Sequence, residues 1–270
     1  MSDVREVSTI SWNLNHWQQT PATRAMAWDH LGSTLAGTHG WDVALLQECV
    51  PPEDWPFPIV WRPVEGQQWG TAITTRHPSL VPVTLEDDSH PGCVVAARVP
   101  TGIGEVVAVS LYGLQEHARS IDGEKYTLRY SVTAVHRMLS DLTPLIDRSG
   151  RSRPGGPLIV GGDLNVSTQM PPPDRQRHAQ VLDRFAGLGL VDGWSVSPDK
   201  EPAPDCDCPG APDCGHVRTH RHRQSTRPWQ LDYLFANRHL AFRSCRTLLD
   251  DDTWVRSDHA PALAVLGSST

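Results

Sequence analysis

Pro157-Leu158-Ile159-Val160 runs straight into Gly161-Gly162-Asp163-Leu164-Asn165, and a buried strand halted by a double glycine leaves few folds open. The apolar run predicts the strand, and the glycines predict a tight turn with Asp163 and Asn165 held just past its end. An acid and an amide at i and i+2 point the same way there. Asp163 can then take a proton from water while Asn165 holds that water or a phosphate oxygen. Both residues are also ordinary turn formers, so the reading depends on what the chain places at its other strand ends.

Val7 to Trp12 reads as a first strand, delivering Asn13 with Asn15 and Trp17 behind it. Thr20-Pro21 starts a helix striped by Trp28, Leu31 and Leu35. Asp42 to Glu48 is a second buried strand, parallel to the first by strand-helix-strand logic, and it ends on a carboxylate. Short β-like runs at 59–62, 71–75, 80–85, 93–99 and 105–112 predict an antiparallel meander that ends on Tyr112-Gly113. Helices are expected over Lys125 to Ile146 and Asp174 to Phe185. Leu231 to Ala236 and Leu240 to Leu248 read as a hairpin pair turning at Asn237-Arg238, with Asp232 at its start. Ser257-Asp258-His259 precedes a final strand from Ala260 to Leu266.

With 270 residues, 39% of them hydrophobic, the chain can bury a full core, and one domain over 1–270 is expected. Its opening residues carry no apolar signal region and no run is long enough to span a membrane, so a soluble cytoplasmic protein with no membrane partner is expected. Nothing points to an obligate protein partner. A net charge of −7 argues against nonspecific coating of nucleic acid by the whole surface, though not against a local basic track. Cys49, Cys93 and Cys245 sit in apolar, strand-like contexts and read as small buried thiols.

Asn13, Glu48, Asp163, Asn165, Asp232, Asp258 and His259 thus fall at or next to strand ends in five separate segments. Hard oxygen ligands without surplus thiolate or imidazole suit Mg²⁺ or Mn²⁺. Beside an acid and a histidine, such a metal equips a site for attack of water on a phosphoester.

Ser11-Trp12-Asn13-Leu14-Asn15, Leu46-Gln47-Glu48, Gly162-Asp163-Leu164-Asn165, Leu231-Asp232-Tyr233 and Ser257-Asp258-His259-Ala260-Pro261 stand in the order of the endonuclease/exonuclease/phosphatase superfamily, the DNase I-like fold, which the chain resembles from Ser8 to Val265. The motif wording is most similar to the exonuclease III and AP endonuclease branch. The chain departs from that branch at Glu48-Cys49-Val50 and at Gln169 to Pro173. The resemblance implies an α/β, four-layer α-β-β-α sandwich of two mixed sheets with the active site at one end. It implies Glu48 as the main Mg²⁺ ligand with Asn13 and Asp258 beside it, and Asp163 as the residue that orients and deprotonates water. Asn165 would hold the water or a phosphate oxygen, His259 would bind the phosphate with its tautomer kept by Asp232, and Tyr112 would contact phosphate. His117 and Arg119 are weaker phosphate candidates in a surface loop. The activity implied is hydrolysis of a phosphodiester, with DNA or RNA as the leading substrate. A small-molecule phosphatase or phosphodiesterase is the second reading, and a catalytically silent binding module the third; the completeness of the residue set counts against the last.

Two further features fall outside the shared motifs. Cys206, Cys208, Cys214 and His216 lie within eleven residues of a loop insertion at about 203–228 and form a closed tetrahedral set for a structural Zn²⁺. Behind them Arg218, His220, Arg221, His222, Arg223 and Arg227 form a basic run that leads to Trp229, and the zinc clip is expected to stiffen this arm so that its arginines grip a polyanion. Arg148, Arg151 and Arg153 read as a solvated loop.

Overall fold

The computed structural model describes residues 5–269 apart from 116–118, 122–123, 127–130, 148–155, 204, 209, 212–213 and 223–226. In chain order its strands are β1 (Glu6–Asn13), β2 (Val43–Cys49), β3 (Ile59–Pro63), β4 (Gly70–Thr75), β5 (Val81–Val83), β6 (Val94–Thr101), β7 (Gly104–Tyr112), β8 (Arg119–Ile121), β9 (Glu124–Tyr126), β10 (Leu158–Asp163), β11 (Leu190–Asp192), β12 (His220–Arg221), β13 (Pro228–Trp229), β14 (Asp232–Asn237), β15 (Leu240–Thr247) and β16 (Ala262–Ser268). Twelve of them build two six-stranded sheets, ordered β15-β16-β1-β2-β4-β3 and β11-β14-β10-β7-β6-β5. Each is mixed, with one parallel pair, β1 with β2 and β7 with β10, among antiparallel neighbours.

The period-2 alternation of β2 explains the layering. Val43 and Leu45 join the core between the sheets, while Ala44 and Leu46 face the other way and pack with Trp28, Leu31, Leu35 and Trp41. Every residue of β2 is buried, as a strand covered on both faces requires. The second sheet is covered by the helices Val132–Asp147 and Asp174–Gly187, whose Val135, Met138, Leu139, Val181 and Phe185 enter the same core as Ile159 and Phe235. Helix, sheet, sheet, helix is the four-layer α-β-β-α sandwich expected. Full burial of each large aliphatic side chain contributes about 1.5–3 kcal/mol.

The helix Pro21–Asp29 begins as expected, with the Thr20 hydroxyl accepting from the Thr23 amide and Pro21 at the first position. The helix expected from Lys125 is shorter at its start: β8 pairs with β9, and the helix opens at Val132. The Ser131 carbonyl takes its first bond, from the Val135 amide, while the Ser131 hydroxyl donates instead to the carbonyls of Leu164 (2.5 Å) and Asn165 (3.0 Å). The expected hairpin at Asn237-Arg238 is corrected too, because β14 belongs to one sheet and β15 to the other. Asn237 is turned inward, its Oδ1 accepting from the Leu158 amide (3.2 Å) and its Nδ2 donating to the Gly156 carbonyl (3.1 Å), so the chain passes from sheet to sheet there. The meander likewise divides, β3 and β4 joining the first sheet and β5 to β7 the second. Among the described residues, no helix is long and apolar enough to cross a membrane.

Candidate active site

The two sheets bring their chemistry to a common end. In the second sheet Tyr112 is level with Asp163 on the parallel side and Asp232 is level with it on the antiparallel side, a single row across three strands. In the first sheet Asn13 is paired with Gln47, which puts it beside Glu48. Directly beneath, Gln47 Nε2 donates to Ser110 Oγ (2.9 Å) and so ties β2 to β7.

Gly162 is what lets β10 reach this point. Its φ is 149°, and a Cβ there would stand 1.8 Å from the Leu111 carbonyl oxygen, so no other residue fits. Just past the glycines, Asn165 has φ 49°, and the other non-glycine residues with positive φ are Asn15 (48°) and Glu48 (45°). All three left-handed non-glycine residues among the described ones flank this centre, where backbone strain of about 1–3 kcal/mol each is held by surrounding bonds.

Those bonds are specific. Asn13 Nδ2 lies 3.1 Å from Glu48 Oε1 and 2.9 Å from Asp163 Oδ2, so one amide bridges carboxylates of opposite sheets. Asp163 Oδ1 accepts from the Asn165 amide (2.8 Å), and Asn165 Nδ2 donates to Asp163 Oδ2 (3.2 Å) and to the Gly113 carbonyl (3.0 Å). His259 Nδ1 is 2.8 Å from Asp232 Oδ2 and its Nε2 is 3.7 Å from Asp163 Oδ2. The His259 carbonyl is held by Trp12 Nε1 (2.9 Å) and its amide by Ser257 Oγ (3.1 Å), which in turn donates to the Asn13 carbonyl (2.7 Å). Tyr112 is buried edge-on to Trp69, and burial together with the nearby Glu48 carboxylate holds its hydroxyl well above the usual range.

Burial pushes Asp163 up to about 7, with the positive His259 pulling against it and Asp232 adding to it. Burial alone would lower His259, but the Asp232 and Asp163 carboxylates outweigh it and hold the imidazole well above its usual range. Burial raises Glu48 as well, against the Asn13 hydrogen bond. Burial also works against ionised Asp258, yet the His220 hydrogen bond and the charge of His259 keep it below the ordinary range. Glu48, Asp163, Asp232 and Asp258 thus outnumber the one imidazolium. Buried polar atoms without a partner complete the picture: Glu48 Oε2, Asp258 Oδ1 and both side-chain atoms of Asn15. Excess carboxylate charge with free oxygen donors fits a hard divalent cation.

The structure therefore brings together Asn13, Glu48, Tyr112, Asp163, Asn165, Asp232, Asp258 and His259. Three residues have no role in the sequence reading and belong here. Asn15 was visible only as the second amide of an Asn-x-Asn pair. Ser131 gave no signal. His220, placed in the basic arm, lies with its ring centroid 4.6 Å from that of His259 and its Nε2 3.8 Å from Asp258 Oδ2, and burial lowers its pKa. Arg218 Nη2 is 2.7 and 2.6 Å from the two oxygens of Asp205, and Arg227 Nε is 2.5 Å from Asp207 Oδ1, so these two charges are balanced inside the cysteine loop. Arg227 also covers one face of Trp229, 5.1 Å from the ring centre. Arg221 is exposed, its backbone amide donating to the Asp258 carbonyl (2.8 Å). Arg223, His117, Arg148, Arg151, Arg153 and the side chain of Arg119 lie outside the described residues. The ligand atoms of Cys206, Cys208, Cys214 and His216 converge within 4.8 Å of one another.

A model of the Endonuclease/Exonuclease/phosphatase family matches residues 10–259. Among solved structures, an AP endonuclease from Leishmania major is 16% identical, aligning 98% of this chain with 89% of that one at a TM-score of 0.66. An AP endonuclease from Archaeoglobus fulgidus is 15% identical over 96% of this chain and 98% of its own, at 0.65. The endonuclease domain of TRAS1, a telomere-specific non-LTR retrotransposon, is 17% identical over 98% of this chain and 99% of its own, at 0.58. No curated protein sequence matches the chain.

Proposed function

Because the chain belongs to the endonuclease/exonuclease/phosphatase family and is accordingly a phosphoester hydrolase, we propose that it is a Mg²⁺-dependent phosphodiesterase whose substrate is nucleic acid. The observation that carries this reading is the Asn13 amide spanning Glu48 and Asp163, with His259 3.7 Å from the same Asp163 oxygen.

Glu48, Asn15 and Asp258 would hold the cation through the unpartnered oxygens noted above, with Asn13 beside them, its Oδ1 accepting from the Asn15 amide (2.8 Å). Bound there, Mg²⁺ or Mn²⁺ neutralises charge that builds on the phosphate oxygens. Asp163, raised toward neutrality by its burial, is matched to accept a proton from water at physiological pH. Its orientation is set by the Asn165 amide on one oxygen and Asn13 on the other. His259, charged and fixed through Nδ1 by Asp232, is left with Nε2 to donate to a phosphate oxygen. Tyr112, level with Asp163 in the row across the second sheet and close to Glu48, would contact a phosphate oxygen.

A nucleic acid is favoured by the exposed Trp17 in the loop behind Asn13 and Asn15, a platform on which a base could stack, and by Arg221 next to His259's partner His220. The balancing of Arg218 and Arg227 by loop aspartates favours the second reading, a small phosphoester. The Cys206, Cys208, Cys214 and His216 set has softer ligands and suits Zn²⁺. Hydrolysis should be measured with Mg²⁺, Mn²⁺ or EDTA on single- and double-stranded DNA, abasic duplex, RNA and bis(p-nitrophenyl) phosphate, beside Asp163→Asn. Cation-dependent cleavage of a polymer, lost in the variant, is expected. Cleavage of the small diester alone would replace the nucleic-acid reading, and no turnover on any of them would overturn the hydrolase mechanism in favour of a binding module.

A further inference from the structure

We propose that a Zn²⁺ ion held by Cys206, Cys208, Cys214 and His216 is the clasp that fixes the catalytic loop to the segment carrying His220, with Gln169 as the positioning residue that joins the two centres. The catalytic part of this role rests on the hydrolase reading above.

His216 Nδ1 lies 3.7 Å from Cys206 Sγ and 3.5 Å from Cys208 Sγ. A tetrahedral zinc with Zn–S of about 2.3 Å and Zn–N of about 2.05 Å needs N···S edges of about 3.6 Å. Cys208 and His216 are buried, so this is not a flexible surface cluster. The other imidazole nitrogen, Nε2, is 2.7 Å from Thr168 Oγ1, an outer partner of the kind that sets a ligating histidine's tautomer and ring angle.

Thr168 and Gln169 continue the loop that starts at Asp163 and Asn165, and both reach the cluster. Gln169 is buried and makes bonds in every direction. Its Nε2 donates to Cys206 Sγ (3.3 Å) and to the Pro228 carbonyl (2.6 Å); its Oε1 accepts from the Gln230 amide (2.7 Å) and from Ser167 Oγ (3.1 Å). One side chain therefore links a thiol ligand, the catalytic loop and the strand that leads to Asp232. From His216 the chain runs on through Val217, whose amide donates to Gln230 Oε1 (3.0 Å), to Thr219. Thr219 Oγ1 accepts from the amides of Leu231 (2.9 Å) and Asp232 (3.1 Å), and its carbonyl accepts from the Ala260 amide (2.8 Å). The next residue, His220, is then laid over His259. Arg218 and Arg227, each paired to an aspartate that flanks a thiol ligand, tighten the clasp instead of reaching for substrate.

The test is zinc content of the full chain by inductively coupled plasma mass spectrometry, as purified and after anaerobic reconstitution with zinc alone. One zinc per chain is expected, and none under either condition overturns the proposal. Thr168→Val should weaken zinc binding, read by chelator competition, about 10- to 100-fold, while Thr168→Ser stays within about threefold; equal affinities overturn the assigned geometry. Gln169→Leu should keep its zinc, yet speed hydrogen exchange at Val217, Gln230 and Asp232 and lower kcat about tenfold or more with KM little changed. Unchanged exchange in that variant overturns the coupling. Zinc content and exchange read out independently of turnover, so a failure of the hydrolase reading leaves this test intact.

Discussion

Asp232→Asn removes one charge from the buried centre and almost no volume. The carboxylate is fully buried, with Oδ2 2.8 Å from His259 Nδ1. At an effective dielectric of about 20, unit charges at that separation attract by about 6 kcal/mol. Desolvation of the pair offsets part of this, leaving a loss of about 2–4 kcal/mol when one charged partner is removed. At about 1.36 kcal/mol per factor of ten, kcat should fall about 30- to 1,000-fold. The direction follows from the same bond: an amide turned to donate to Nδ1 requires a neutral ring that accepts there, so His259 no longer offers a positive charge to phosphate. Single-turnover hydrolysis at saturating substrate measures this, with thermal denaturation as the control for folding. A kcat within about threefold of wild type at unchanged melting temperature would refute the role given to Asp232.

Asn13→Ala takes the shared donor from two buried carboxylates and should cost about 2 kcal/mol of stability in EDTA, partly restored by Mg²⁺; denaturant titrations with and without the cation check it, and equal stability to wild type in EDTA would count against the bridge. His178 is buried with Nδ1 accepting from the Ser167 amide (3.0 Å), and burial lowers its pKa from 6.5 to about 4. A depressed folded value means that its contribution is present above pH 6.5 and is lost as pH falls through about 4, up to about 3 kcal/mol, so urea midpoints should fall across that window and His178→Gln should flatten the fall. Asp192 has the opposite sign: burial raises it from 3.8 to about 6, so its contribution is full below pH 3.8 and lost as pH rises through about 6. Asp192→Asn, which can still accept from the Trp194 amide, should therefore stabilise the protein by about 1–2 kcal/mol at pH 7.5 and not at pH 3.5; no gain at pH 7.5 would contradict the assignment.

Much of the architecture could be read from local pattern. The apolar run, the parallel placement of the first two strands and the Thr20-Pro21 helix start depend on neighbouring residues, and each appears as expected; the double glycine, however, does not stop the strand in a turn, because Gly161 and Gly162 are paired on both sides and β10 runs on to end at Asp163. Sheet partnership depends on distant ones. The Asn237-Arg238 turn carries a hairpin signal in its own residues, but whether β15 returns to β14 or crosses to β16 is decided by the Asn237 bonds to 156 and 158, which no local window contains. The helix start was overestimated because Val132 and the residues before it share a helical spacing, while the Ser131 hydroxyl is engaged by the catalytic loop. In the site, residues at strand ends were legible because strands point their last side chains to a common edge. His220 was not, since a basic run looks solvated in sequence, and neither was the pairing of Arg218 and Arg227 with Asp205 and Asp207, acids that alternate with Cys206 and Cys208.

In the proposed mechanism Asp163 activates water at a cation-loaded centre where the two sheets meet. Its most direct test is single-turnover nucleic-acid hydrolysis by wild type and Asp163→Asn across a Mg²⁺ titration, with Mn²⁺ binding followed by electron paramagnetic resonance on both proteins. A loss of about 10³-fold or more is expected in the variant, with Mn²⁺ still bound. Wild-type cleavage that persists in EDTA, or a variant that binds Mn²⁺ and cleaves at the wild-type rate, would contradict it.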